Sequence, residues 1–453
     1  MKTSYVQKAA LTTGPVGQTL IRMTLPLFVG LFAIIAFNLV DTYFVSKLGT
    51  IELAAMGFTF PVVMVLTGIS LGLGVGTSAS ISKAIGEGNV HKVRRLATHS
   101  LILGFIVVTI FSVIGLFTID PLFTALGADN LTLPLIKRYM TIWYLGMIFV
   151  VIPMVGNSAI RATGDTRIPG LIMLMGASIN LVLDPLLIFG LAGFPRLDLA
   201  GAAIATVIAR MLTCIAAIAI LHFRERMLIW GRTGLEGILH SWRSITWIGV
   251  RASMSHTMAP ISVAFIIRLA ANHGQSTVAA LSAGFRVTAF SLIPIFALAT
   301  SIVPFVGQCW GAGMKERTRK GWFQASGFVL VWGSITALLL FVMAPRIAHL
   351  FSNDHDVVTK IALYLRIIPL GYGLQGVLVV TNAMLNGIHR PIHATLLIAL
   401  RLFVFFVPLA YLGSYLFNVT GMFGGMALGT GISGIIAFSY SRKIFNTTKA
   451  IGS

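Results

Sequence analysis

Residues 168–192 read IPGLIMLMGASINLVLDPLLIFGLA, an unbroken apolar run in which only Asp184 carries a charge. At about 1.5 Å per residue, a helix of that length exceeds the roughly 30 Å hydrocarbon core of a bilayer. Runs of the same kind recur at 20–46, 54–82, 93–119, 131–160, 198–222, 244–272, 278–308, 320–343, 356–386, 392–416 and 420–442. None shows the two-residue alternation of a barrel strand. Lipid offers a backbone no hydrogen-bond partner outside a helix or a closed barrel. The expectation is an all-α integral membrane protein with twelve transmembrane helices. Composition agrees: of 453 residues, 57% are hydrophobic and 10% charged, against about 25% charged in soluble domains.

The net charge of +20 would suit nucleic acid if the cations formed one patch. Instead they follow the loops. With the N-terminus inside and the spans alternating, inner segments hold 21 of the 33 lysines and arginines. Outer segments hold Lys47, Lys137, Arg138, Arg196, Arg346 and Lys360. This bias is the positive-inside rule. It predicts both termini in the cytoplasm and no nucleic-acid partner. Cys214 and Cys309 both fall in apolar spans without ligand spacing, so neither a disulfide framework nor a metal site is expected. The first apolar run is of full span length with no small-residue cleavage site at its end, unlike a signal peptide.

An offset of 225 places Gly49 on Gly274, Ala54-Ala55 on Ala279-Ala280 and Gly86-x-Gly88 on Gly311-x-Gly313. It also places Tyr139 on Tyr364 and Asn157 on Asn382, and an offset of 223 places Gly164 on Gly387 and Asp184-Pro185 on Val407-Pro408. Two parallel six-helix repeats are expected, because an even number of crossings keeps both copies in one orientation. The division predicted is an N-lobe over 1–222, a cytoplasmic linker over 223–243 and a C-lobe over 244–453. Parallel repeats of this kind are a transporter architecture with the substrate path between them.

Eleven of the thirteen acids fall in loops, leaving Asp41 and Asp184 inside spans. A charge in a span costs about 2.5–3.5 kcal/mol on insertion scales, so an intramembrane acid is read as functional by default. Asn180 lies one turn from Asp184 on the same face. Counting helical rise puts Asp184 about 6 Å and Asp41 about 12 Å outward of mid-span, with Thr206 level with Asp184. These oxygens suit a proton or a small cation; for Asn180 and Thr206 the alternative is ordinary interhelical hydrogen bonding. Pro26 removes a backbone hydrogen bond from helix 1 and reads as a kink or, given Asp41 fifteen residues on, a hinge. Met173, Met211, Met254 and Met258 are adaptable side chains suited to a substrate cavity. Arg210 stands one turn inward of Thr206, where pairing with Asp184 would hold that carboxylate ionised and oppose protonation.

No enzyme signature survives. Gly72-x-Gly74-x-Gly76 lies inside a span without strand–turn–helix context, no Walker-type lysine occurs, and the ten histidines form no HExxH pair.

Several stretches resemble one family across the whole chain. They are Val40-Asp41-Thr42-Tyr43-Phe44-Val45, Arg161-Ala162-Thr163-Gly164-Asp165-Thr166-Arg167-Ile168-Pro169, Leu183-Asp184-Pro185-Leu186-Leu187-Ile188-Phe189-Gly190 and Gly201-Ala202-Ala203-Ile204-Ala205-Thr206. These are similar to the MATE (multidrug and toxic compound extrusion) transporters, in the DinF-like branch. The resemblance implies a secondary exporter, monomeric and without cofactor, in a bacterial inner membrane. Such a protein exchanges cationic or amphipathic drugs for protons, with sodium the rival ion, by alternating access. It implies coupling through Asp41 and Asp184, support from Asn180 and Thr206, and accessory roles for Tyr139 and Asn157. The C-lobe acids of other branches are absent. The alternative is a flippase for lipid-linked sugar precursors.

Overall fold

The computed structural model describes residues 9–229 and 237–450. Helices α1 (Val16–Ser46), α2 (Thr50–Gly86), α3 (Val90–Ala125), α4 (Thr132–Gly146), α5 (Ile148–Ala162), α6 (Arg167–Phe189) and α7 (Leu199–Ala219) make up the first half. The second half holds α8 (Ile238–Ala271), α9 (Gln275–Ser291), α10 (Ile293–Gly311), α11 (Lys315–His349), α12 (His355–Ile367), α13 (Tyr372–Gly387), α14 (Pro391–Ala399) and α15 (Val407–Ala450). No strand occurs among the described residues.

Among the described residues, ten helical segments are each long and apolar enough to cross a membrane, and α4 with α5, bent by 41°, adds one more. One of the ten, Pro391–Asn446, is 56 residues long. It is broken at Phe417 (φ −137°, ψ 25°) and Asn418 (φ 53°, ψ −137°) and so makes two passes. The chain crosses the membrane twelve times, as the apolar runs predict. Side chains such as Phe117, 82% exposed in α3, are tolerable there because lipid, not water, meets them.

The repeat shows in the backbone. Gly88 (φ +71°) and Gly313 (φ +74°), which the offset of 225 superposes, both turn the chain just after α2 and α10 through left-handed torsions that favour glycine. The bend between α4 and α5 at Met147 has its counterpart in the 3-10 turn Ile368–Gly371 between α12 and α13. One register differs from expectation. At the same offset, the left-handed partner of Gly164 (φ +98°) is His389 (φ +63°), whereas Gly387 ends α13. The offset of 225 therefore holds through this loop.

The helices assemble into two compact units. One is built on Leu25–Ser253, the other on Leu11–Thr24 and the chain from Met254 onward. In the second unit, Arg317 fixes the start of the chain through main-chain carbonyls. Its Nε, Nη1 and Nη2 donate to Leu11 (3.0 Å), Gly14 (2.7 Å) and Thr13 (2.6 Å). Leu11 N donates to Gln308 Oε1 at 3.1 Å. In the first unit, the start of α8 is held by Trp242 Nε1 on the His99 carbonyl (3.0 Å) and Ser253 Oγ on that of Ile69 (3.2 Å). Of the linker expected over 223–243, residues 230–236 lie outside the described residues.

Candidate functional site

The Arg161–Pro169 stretch sets the inner end of α6. Gly164 turns the chain (φ +98°), and Asp165 Oδ1 accepts from the main-chain N–H groups of Arg167 (2.9 Å) and Ile168 (3.3 Å), which are open donors at a helix start. Arg224 Nη2 pairs with Asp165 at 2.9 Å, tying this turn to the end of α7. Glu225 is buried beside it; burial pushes its carboxyl up, Arg224 opposes that and Asp165 reinforces it.

From that turn α6 runs outward alongside α1. A Cβ on Gly170 would fall 2.5 Å from the Pro26 carbonyl oxygen, and one on Gly30 would fall 3.0 Å from Met173 Cβ. Only glycines allow this approach. Fifteen residues beyond Pro26 stands Asp41, and fourteen beyond Gly170 stands Asp184, each about 21–22 Å along its helix. Parallel helices touching at the proline therefore bring both carboxyls to one level.

The two side chains lie close enough to act on each other electrostatically. Ionised carboxylates only accept, so these two could hydrogen-bond to each other only if one of them carried a proton. Asp184 is fully buried (0% exposed), and its Oδ1 accepts from Asn180 Nδ2 at 2.8 Å. Asp41 Oδ1 and Asp184 Oδ2 are buried with no hydrogen-bond partner among the described residues. Tyr139, buried on α4, lies within electrostatic range of both acids. On the outer side, Phe44 and Phe189 meet edge to face at 6.2 Å, joining α1 to α6 just beyond the acids. Their spacing from the acids, three residues and five, was the only sign of this pair in the sequence.

The other expected residues are placed as follows. Asn157 is buried on α5 with its Oδ1 unpaired among the described residues. Thr206 is half-buried on α7, and no hydrogen bond joins it to Asp184 among the described residues. Arg210 forms no ion pair there either, so it does not hold Asp184 ionised. Met173 packs at Gly30. Met211 and Met258 are half-buried and Met254 is 47% exposed.

The second unit builds a different centre at the equivalent places. Ile266 and Val407 stand where the repeat puts Asp41 and Asp184. Tyr364, the counterpart of Tyr139, meets Thr288 Oγ1 at 3.0 Å, and Tyr372 meets the same hydroxyl at 2.6 Å. One unit thus holds a protonatable pair and the other a neutral hydroxyl trio.

A family model described as MatE matches residues 26–186 and 253–412, once in each half. The chain is 36% identical over 440 residues to a protein of Shewanella oneidensis named FAD transporter, covering 97% of both. It is 22% identical over 426 residues to the multidrug export protein MepA of Staphylococcus aureus, covering 93% of both. Among solved structures it resembles the Vibrio cholerae MATE transporter VcmN in the bent form. That match has 31% identity and a TM-score of 0.91, over 95% of this chain and 97% of the other.

Proposed function

The chain belongs to the MATE family of membrane transporters, and from that premise we propose that it is a proton-driven exporter of an aromatic, anionic dinucleotide of the FAD class. The observation that carries the coupling is the carboxyl pair. Asp41 and Asp184 are the only acids set away from the ends of the spans, they lie within electrostatic range of each other, and in this reading two buried carboxyls that close share a proton. Asn180 orients Asp184, and Tyr139 and the Phe44–Phe189 pair wall the site. Drug or dinucleotide leaves as the proton enters, each ligand weakening the hold on the other. The location supported by the loop charges is a bacterial inner membrane, with both termini in the cytoplasm.

The cargo reading draws on the FAD transporter at 36% identity. It draws also on the second unit, whose spans carry Arg268, Arg286, Arg366 and Arg401 and no acid away from their ends. A second reading, export of cationic drugs, is favoured by the two acids of the first unit and by the similarity to MepA. Everted membrane vesicles decide. Energised vesicles holding the protein should accumulate FAD at constant sodium and lose it when a protonophore is added. Accumulation of ethidium but not FAD would establish the second reading. FAD uptake that survives collapse of the pH gradient and rises with an imposed sodium gradient would replace the proton by sodium.

Pro26 is the hinge in this reading. The two units divide α1 between Thr24 and Leu25, immediately before the missing backbone hydrogen bond. Pro26→Ala should lower the transport rate several-fold while leaving thermal stability within about 1 kcal/mol of the parent, as hinge changes act on turnover more than on fold. Unchanged transport in that variant would reduce the proline to a static bend.

A further inference from the structure

We propose that Arg401 is the residue that receives the phosphate groups of the cargo. The proposal deepens the FAD-class reading and rests on it. Arg401 lies ten residues into the pass that starts at Pro391, about 15 Å from its inner end and so near the middle of the membrane. It is half-buried, and its Nε is fully buried without a hydrogen-bond partner among the described residues. No ion pair reaches its guanidinium there. Its one aromatic neighbour of note is the Phe406 ring, 5.8 Å away.

Such a cation is costly to hold in a membrane unless something of opposite charge meets it. The unit to which it belongs cannot supply that charge. Glu316 sits in the first turn of α11, Asp354 caps α12 and Asp356 follows it, and no other acid occurs from Met254 onward. Salt-bridge geometry confirms that two of these acids are engaged elsewhere: Glu316 with Arg319 and Asp356 with Lys360.

The backbone around Arg401 is also irregular. Leu400–Phe406 winds as a π-helix between α14 and α15, a form that appears frequently at functional sites. At the repeat-related positions of the first unit stand Gly176 to Ser178, so the charge is a property of one half only. A guanidinium presents a planar fork of donors that matches phosphate oxygens two at a time. With both terminal nitrogens free of partners among the described residues, Arg401 can take a pyrophosphate in that way. The flavin and adenine rings are then left to apolar neighbours such as Phe406.

Flavins separate the phosphate from the ring, so binding to the purified full-length protein tests this. FAD and riboflavin share the isoalloxazine, and only FAD carries the pyrophosphate. By flavin fluorescence titration the parent should prefer FAD over riboflavin. Arg401→Gln should narrow that preference about tenfold or more, the scale of a lost charge-assisted hydrogen bond. Arg401→Lys, which keeps the charge but not the planar fork, should retain part of it and shows that the site still folds. A preference that is undiminished in Arg401→Gln overturns the role of Arg401 and leaves the FAD-class reading intact. A parent that binds neither flavin overturns both.

Discussion

Asp184→Asn inserts at the parental level and loses energised export. The introduced amide oxygen still accepts from Asn180 Nδ2, which now sits 2.8 Å from Asp184 Oδ1, so the local packing has no reason to fail. What disappears is the exchangeable proton. An amide mimics the protonated acid and never releases it, so cargo and proton no longer displace one another. The accumulation ratio in everted vesicles should fall by roughly 5- to 150-fold, the usual span of coupling between two ligands. Asp41→Asn should do the same, because a proton shared by the pair needs both carboxyls. By contrast, Asp184→Ala leaves the Asn180 amide unpaired in a buried place and should also cost about 1–3 kcal/mol of stability. Parental export by both Asn variants would make the two acids structural and end the coupling scheme.

Export of an FAD-class anion should depend steeply on membrane potential, and this separates the two cargo readings more sharply than affinity does. A pyrophosphate diester carries a negative charge on each phosphate. Its exit in exchange for one entering proton moves about three charges in the direction that a negative-inside potential favours. At about 2.3 kcal/mol per charge per 100 mV, the potential contributes about 7 kcal/mol per 100 mV. Exchange of a monovalent cationic drug for one proton moves no net charge and gains nothing from the potential. Potassium gradients with valinomycin, imposed at zero pH gradient, should therefore drive FAD accumulation in everted vesicles. FAD transport that ignores the imposed potential would exclude one-for-one exchange of this anion with a proton.

The helix count was legible because a bilayer imposes a length on every apolar run, and twelve such runs could be read directly. The identity of the acids was legible for a related reason: a charge in a span is rare enough to name itself. Their proximity was not. Counting rise along each helix from an assumed midpoint left Asp41 and Asp184 about 6 Å apart in depth. The true register is set where Gly170 admits the Pro26 carbonyl, a close approach visible only once α1 and α6 are packed. Thr206 failed as a partner of Asp184 for the converse reason. Equal depth says nothing about which way a helix faces. Arg210, an apparent obstacle to protonation, forms no ion pair among the described residues. The hold of Arg317 on residues 11–14 joins positions far apart in sequence, and no local pattern encodes such a link.

That hold has a consequence for how the chain came to be one chain. The opening segment of the first six-helix repeat, Leu11–Thr24, belongs to the second compact unit, and the opening segment of the second repeat, the part of α8 up to Ser253, belongs to the first. The exchange is reciprocal, as between two subunits that swap an identical arm. A single six-helix copy would have an arm without a berth and a berth without an arm, and two copies would satisfy one another. A backbone cut between residues 222 and 238 therefore yields two fragments neither of which contains a whole unit.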